Sequence, residues 1–229
     1  RELSGGKPVG FKLCIGRKSE FVSIVKAMLE TKILPDFITI DGAEGGTGAA
    51  PVEFSNRLGT PCLEATYFVN QVLKGAGIRQ HVRLISSGHT ATGFDMLEKI
   101  ILGADTVNAA RSMMIALGCV QAKACHTNDC PTGIATQNRS RARAIDVVEK
   151  ANRIYNFHHA TVVSFLELCG AMGFKNPADL TPADLYSRSD GTAKNFDQIY
   201  QPLDDGQLLT NSIPAAYLED WQHADSARF

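Results

Sequence analysis

Along the chain, short apolar runs alternate with longer stretches in which apolar residues recur every three or four positions. Val9–Ile15 reads as a strand and is followed by a helical pattern from Glu20 to Lys32. Phe37–Ile40 is the next strand, running into Asp41–Gly48, and Glu64–Lys74 is the next helix. His81–Ile85 is a third strand, ending in Ser86–Gly93; Phe94–Leu102 is a short helix and Asp105–Ala109 a fourth strand. Apolar runs of this length bounded by glycine and small polar residues fit buried strands, and their alternation with helices predicts a parallel sheet. Each strand runs into a loop rich in glycine and small polar residues. In α/β barrels the loops at the carboxyl ends of the strands carry the chemistry.

Beyond about residue 118 the alternation stops. A cysteine segment occupies 119–138, and a helical and irregular extension covers 139–229. Within it, Arg141–Gly173 predicts one or two helices with Gly170 and Gly173 as stops, and Thr181-Pro182, with Asp184 nearby, predicts a further helix start. The last forty residues are rich in Asp, Gln and Pro and predict irregular structure. Four strands are half of what a barrel of about 250 residues closes with. The reading is therefore an α/β chain of the (βα)8 TIM-barrel type with only half its strands, and the division is 1–118, 119–138 and 139–229.

Composition narrows the function. The 229 residues are 44% hydrophobic and 21% charged, ordinary for a globular protein. A formal net charge of -1 gives no field that would draw nucleic acid or an acidic membrane. No run is long and apolar enough to span a bilayer, so the expected location is cytoplasmic. The chain opens at Arg1, directly before a strand-like run, which suggests a cut through a longer protein; a membrane anchor in a preceding segment stays open. Six cysteines are too few and too clustered for a disulfide scaffold.

Four features carry candidate chemistry. In Gly42-Ala43-Glu44-Gly45-Gly46-Thr47-Gly48, directly after a buried-looking strand, four glycines in seven residues let backbone amides approach a ligand; a plain surface loop is the competing reading. Ser87-Gly88-His89 after the third strand, together with Ala110-Arg111 after the fourth, resembles the phosphate cradle that follows strands 7 and 8 of a barrel; this makes the four strands numbers 5–8. Arg111 could add a bidentate cation, or could be a surface arginine. Cys119, Cys125 and Cys130, the last followed by Pro131, suit a three-iron cluster; zinc with His126, or three idle thiols, are the alternatives. Cys14, Cys62 and Cys169 read as core residues. Lys12, inside an apolar strand, either faces a bound group or is solvated. His158 and His159 read as packing or surface residues, and Trp221 as a packing anchor.

Together these residues resemble the flavin-binding domain of the glutamate synthase family. Gly45-Gly46-Thr47-Gly48-Ala49 is similar to its glycine loop. Gly118-Cys119, Cys125-His126 and Cys130-Pro131-Thr132-Gly133-Ile134-Ala135-Thr136-Gln137 are similar to its cluster segment. The resemblance runs from Phe11 to Gln137 and more weakly to Arg188. It implies FMN at a barrel mouth, bound by Lys12, Gly45, Gly46, Thr47, Gly48, Ser87, Gly88, His89, Ala110 and Arg111, with Lys12 and Glu44 at the catalytic centre. It also implies a 3Fe-4S cluster on Cys119, Cys125 and Cys130, fed by a reductase or ferredoxin. The reaction it implies is reductive amination of 2-oxoglutarate, by ammonia or an amine donor, to L-glutamate. Ser87-Gly88-His89 and Ala110-Arg111 depart from the large synthases and resemble a shorter, stand-alone branch, in which an N-methylglutamate synthase-like reaction is the alternative. A third reading is a non-catalytic fragment, whose open sheet edges predict a homo-oligomer or a missing amino-terminal half.

Overall fold

A computed structural model describes residues 1–42, 53–54, 57–189 and 191–228; for Ser189 only the backbone is described. Four parallel strands, β1 (Gly10–Cys14), β2 (Phe37–Asp41), β3 (Arg83–Ser87) and β4 (Thr106–Asn108), lie in the order in which they occur in the chain. Between them run α1 (Lys18–Thr31), α2 (Cys62–Gly75) and α3 (Gly93–Ile101). All four predicted strands are present: β1 and β4 are trimmed at both ends, β2 gains Asp41, and β3 starts two residues later and runs on to Ser87.

Side chains alternate across a strand, so each strand divides its residues between two faces. Ile38, Ile40 and Leu84 are completely buried in one cluster with Phe21, Val25, Val69 and Val72 from α1 and α2. The alternate residues Lys12, Cys14, Arg83, Thr106 and Asn108 are exposed on the other face. Sequential strands with helices packed on one side are the winding of a β/α barrel; a doubly wound sheet reverses its strand order and carries helices on both faces. The protein is four units of a barrel followed by a helical extension.

The amino-terminal end of the sheet is closed by an arginine clamp. Arg79 donates to Asn70 Oδ1 (2.6 Å), Val82 O (2.8 Å), Gly103 O (2.7 Å) and Asp105 Oδ2 (2.9 Å). Asp105 also accepts the Leu84 amide at 2.7 Å. This end reads as structural, in keeping with the barrel rule that chemistry sits at the other.

A helix the sequence reading did not name, α4 (Arg111–Leu117), falls between the fourth strand and the cysteines, and the stretch read as one or two helices is two, α5 (Arg139–Ala142) and α6 (Val147–Ala171). The extension departs from its sequence reading in two places. Thr181 and Asp184 do form a capping box, but it opens only a single 3-10 turn at Pro182–Asp184, followed by an antiparallel hairpin, β5 (Tyr186–Ser189) and β6 (Thr192–Asn195). After the short α7 (Phe196–Ile199), the last segment is ordered rather than irregular. It includes α8 (Ala215–His223) and puts Leu203, Leu208, Tyr217 and Ala224 into the main core. Among the described residues no helix is long and apolar enough to cross a membrane.

Candidate functional site

Parallel register aligns the carboxyl ends of the strands. Cys14 pairs with Asp41, Asp41 with Ser87, and Ser87 with Asn108, which sets one polar residue from each strand in a row. One side-chain step lower on the same face are Lys12, Thr39, Ile85 and Thr106. Lys12 therefore faces the side of the sheet away from α1 and α2, near the carboxyl ends of the strands, and its Nζ stands 2.5 Å from Asp41 Oδ2. Asp41 was not among the residues expected at the site. The signal was available: a carboxylate closing Phe-Ile-Thr-Ile-Asp immediately before a glycine loop has no apolar role.

The start of that loop is pinned from below. Gly42 donates to Ser87 O at 3.0 Å. A Cβ on Gly42 would fall 2.4 Å from Cys62 Cβ, so only glycine lets β2 end against the first residue of α2. Beneath it, Ser86 Oγ lies 3.3 Å from Cys62 Sγ and 2.8 Å from Thr66 Oγ1, an apolar-walled polar contact with all three residues buried. The expected ligand residues Glu44, Gly45, Gly46, Thr47 and Gly48 lie outside the described residues.

The other two expected loops are brought together. Ser112 Oγ donates to Thr90 O at 2.8 Å, joining the turn that holds Ala110 and Arg111 to the loop that holds Ser87, Gly88 and His89. His89 adopts φ 42°, in the left-handed region that few residues other than glycine occupy. Beneath these loops a cavity of about 60 Å³ is lined by Thr90, Met96, Ser112, Phe157 and His158. The amides of Ala91 and Thr92 are not available to a ligand, because the Asp95 carboxylate accepts both, at 2.8 and 2.9 Å. Burial would raise that carboxyl; the two amides, the Thr92 hydroxyl and Lys99 bring it below the usual carboxylate value. The helix start that offers donors here is α4, whose cap residue Ala110 supplies no side-chain acceptor.

The cysteines divide differently from their spacing. Cys130 is buried; its sulfur shares a 3.4 Å hydrogen bond with the Thr132 hydroxyl and accepts from the Ala135, Thr132 and Ile134 amides. The Thr132 hydroxyl first and then the Ala135 amide pull the thiol down to about 7, against the opposing effect of burial. Gly133 makes this wrap possible: it has φ 76°, and a Cβ there would meet Arg141 O at 2.3 Å. Cys119 is half-buried and accepts only the Gln121 amide, at 3.4 Å, while Cys125 is exposed. Among the described residues no three His, Cys, Asp or Glu side chains stand together to hold a metal ion. Cys130 thus fits a thiolate ligand, whereas the three expected ligands are not gathered into one set. Cys62 and Cys169 are buried as expected, but Cys14 is exposed on the open face because strand alternation places it beside Asp41. His158 and His159 are exposed, and Trp221 packs against the core with Lys26 over its ring.

Cys130 offers a direct check. The thiolate forms above its pKa, so alkylation of Cys130 by iodoacetamide should rise through about pH 7. Cys169, held above the ordinary thiol value by burial, should stay unreactive there. Peptide mass spectrometry across pH 5–10 reads both; a Cys130 midpoint close to an ordinary thiol would show that the wrapped turn does not form.

The fold defines a protein of the β/α-barrel class, with a row of strand-end residues at the carboxyl ends of its four strands. Residues 1–175 match the conserved region in glutamate synthase. The chain is similar to the glutamate synthase large subunit-like protein YerD of Bacillus subtilis (strain 168), at 37% identity over 85% of this chain and 37% of that protein. It is also similar to the archaeal glutamate synthase (NADPH) of Methanocaldococcus jannaschii, at 34% identity over 74% of this chain and 32% of that protein. The chain belongs to the glutamate synthase family. It spans about a third of the length of these relatives. A solved flavocytochrome b2 mutant with benzoylformate overlays 96% of this chain and 41% of its own at 16% identity, with a TM-score of 0.48.

Proposed function

We propose that the chain is the carboxyl-terminal half of an FMN-binding barrel that reductively aminates 2-oxoglutarate to L-glutamate. The observation that carries the reading is the joining of the Ser87–His89 loop to the Ala110–Arg111 turn, at the same end of the sheet as Lys12, in a chain of the glutamate synthase family. The first helical turn of α4 and the amides of the Gly88–Thr90 loop would hold the FMN phosphate. Arg111 would add its guanidinium there, and Lys12 would face the ring. When bound, FMN supplies the hydride that reduces the imine of the substrate. Lys12 would then hold positive charge where the ring gains negative charge; Glu44, outside the described residues, is the second proposed catalytic residue. Electrons would come from NADPH, through a reductase, or from a ferredoxin.

The segment from Cys119 to Cys130 is proposed to carry the 3Fe-4S cluster. The wrapped Cys130 sulfur supports it; ligation requires Cys119 and Cys125 to close on Cys130. An N-methylglutamate synthase-like reaction is the alternative on the same site.

Anaerobic purification followed by flavin, iron and acid-labile sulfide content tests the reading. Iron and sulfide near three and four per chain support the cluster. FMN is expected to bind this chain weakly, because half of the pocket comes from elsewhere in the barrel. The protein at its relatives' full length should then retain FMN and consume 2-oxoglutarate. Failure of that longer protein to bind FMN would end the proposal.

A further inference from the structure

Among the residues of the four parallel strands, only Lys12, Asp41 and Arg83 are charged. Arg83 belongs to the opposite end of the sheet, where it pairs with Asp105. The functional end therefore carries one strand cation and one strand anion, and the two are in contact. Lys12 lies one side-chain step below Cys14. Since Cys14 and Asp41 are register partners, Lys12 reaches up and across one strand to bring Nζ within 2.5 Å of Oδ2. Their side chains are 57% and 34% exposed, so the pair adds little to stability. Its position is what matters.

We infer that Asp41 is a positioning residue for Lys12: it holds the ammonium at the strand ends and cancels its charge on the open face, so that an anionic ligand there must draw Lys12 away from Asp41. The ligand's identity as a flavin rests on the proposed function; the pairing does not. With Asp41 ionised the face is near neutral, and the ligand's gain from Lys12 is reduced by what Asp41 loses. With the carboxylate removed, the whole charge of Lys12 is left to the ligand.

A reporter is built in beside the pair. Cys14 is exposed and adjacent to Asp41, and its thiol is held above the ordinary value by burial first and by the Asp41 carboxylate second. Removing that carboxylate makes Cys14 more acidic.

The test compares the full chain with Asp41→Asn, Lys12→Met and the double variant. Iodoacetamide labelling of Cys14 at fixed pH, read by peptide mass spectrometry, should be several-fold faster in Asp41→Asn than in the parent, with buried Cys169 unchanged as an internal standard. Equal Cys14 rates in all four proteins would overturn the inference without reference to any cofactor. In parallel, FMN titration should show Asp41→Asn binding about fivefold tighter than the parent, the size expected of releasing one partly exposed pair. That gain should shrink when Lys12 is already Met, and the midpoint potential of the bound flavin should rise in Asp41→Asn. If FMN binds parent and Asp41→Asn equally, the inference fails and the flavin reading stands. If FMN binds none of the four, at this length or at the relatives' full length, the flavin reading fails and the Cys14 rates alone decide the pairing.

Discussion

Replacing Gly93 with alanine should destabilise the protein by about 3 kcal/mol, the upper end for overpacking a closed contact. Gly93 opens α3, and a Cβ there would lie 2.5 Å from the Phe165 amide nitrogen and 2.9 Å from the Ser164 carbonyl carbon. Those are backbone atoms of α6, and they cannot rotate aside as a side-chain tip would. The helices must separate, and their shared cluster of Leu97, Ile101, Phe165 and Cys169 opens with them. A second glycine supplies the control. Gly170 lies in the last turn of α6 with nothing within 4 Å of its missing Cβ. Gly170→Ala should therefore stabilise by about 0.5–1 kcal/mol, as alanine does in an unstrained helix. Urea denaturation of the two variants reads opposite signs. If Gly93→Ala unfolds with the parent, the close approach of α3 and α6 is wrong. The effect reaches the site, because the Thr92–Asp95 cap that shapes the loop after Ser87 sits at the same helix start.

The barrel half was legible because its signals are local. An apolar run such as Phe37–Ile40 is a strand by length and composition, and the glycine loop after it marks the functional end. Lys12 was legible as an anomaly, a charge inside such a run. Asp41 was passed over because its meaning is non-local: only register brings it to Lys12, and register is set by neighbouring strands. The cysteines show the converse. Spacing singled out Cys119, Cys125 and Cys130 together. The difference between them comes from the turn at Thr132–Ala135, which wraps one sulfur and leaves the other two out. The β5–β6 hairpin was invisible, since Tyr186-Ser-Arg-Ser and Thr192-Ala-Lys-Asn show no apolar alternation and pair across two residues at the surface.

The final segment is where sequence pattern failed most, and it carries the second large effect. Its buried residues, Leu203, Leu208, Tyr217 and Ala224, follow no helical or strand period, so no window reveals them. Each fills a separate gap on the outer side of α1 and α2. Leu203 and Leu208 interlock at Gly75, where an added Cβ would meet Leu208 Cγ at 2.7 Å and Leu203 Cδ1 at 2.8 Å. The strap is tied by hydrogen bonds as well: Leu203 N to Gln71 Oε1 at 2.8 Å, and Asp225 N to Ser23 Oγ at 3.0 Å. Tyr217 stacks on Phe68, with ring centroids 6.3 Å apart. Leu208→Ala should therefore cost about 2–5 kcal/mol, the range for a buried leucine whose surroundings cannot collapse into the cavity. Leu209, its neighbour in sequence, is 58% exposed, and Leu209→Ala should change stability by no more than about 0.5 kcal/mol. Thermal or urea unfolding of the pair separates a docked strap from a loose tail. Similar small losses at both positions would mean that the last segment does not close over α1 and α2. A large loss at Leu208 alone would make residues 203–225 part of the same cooperative core as the strands that carry Lys12 and Asp41.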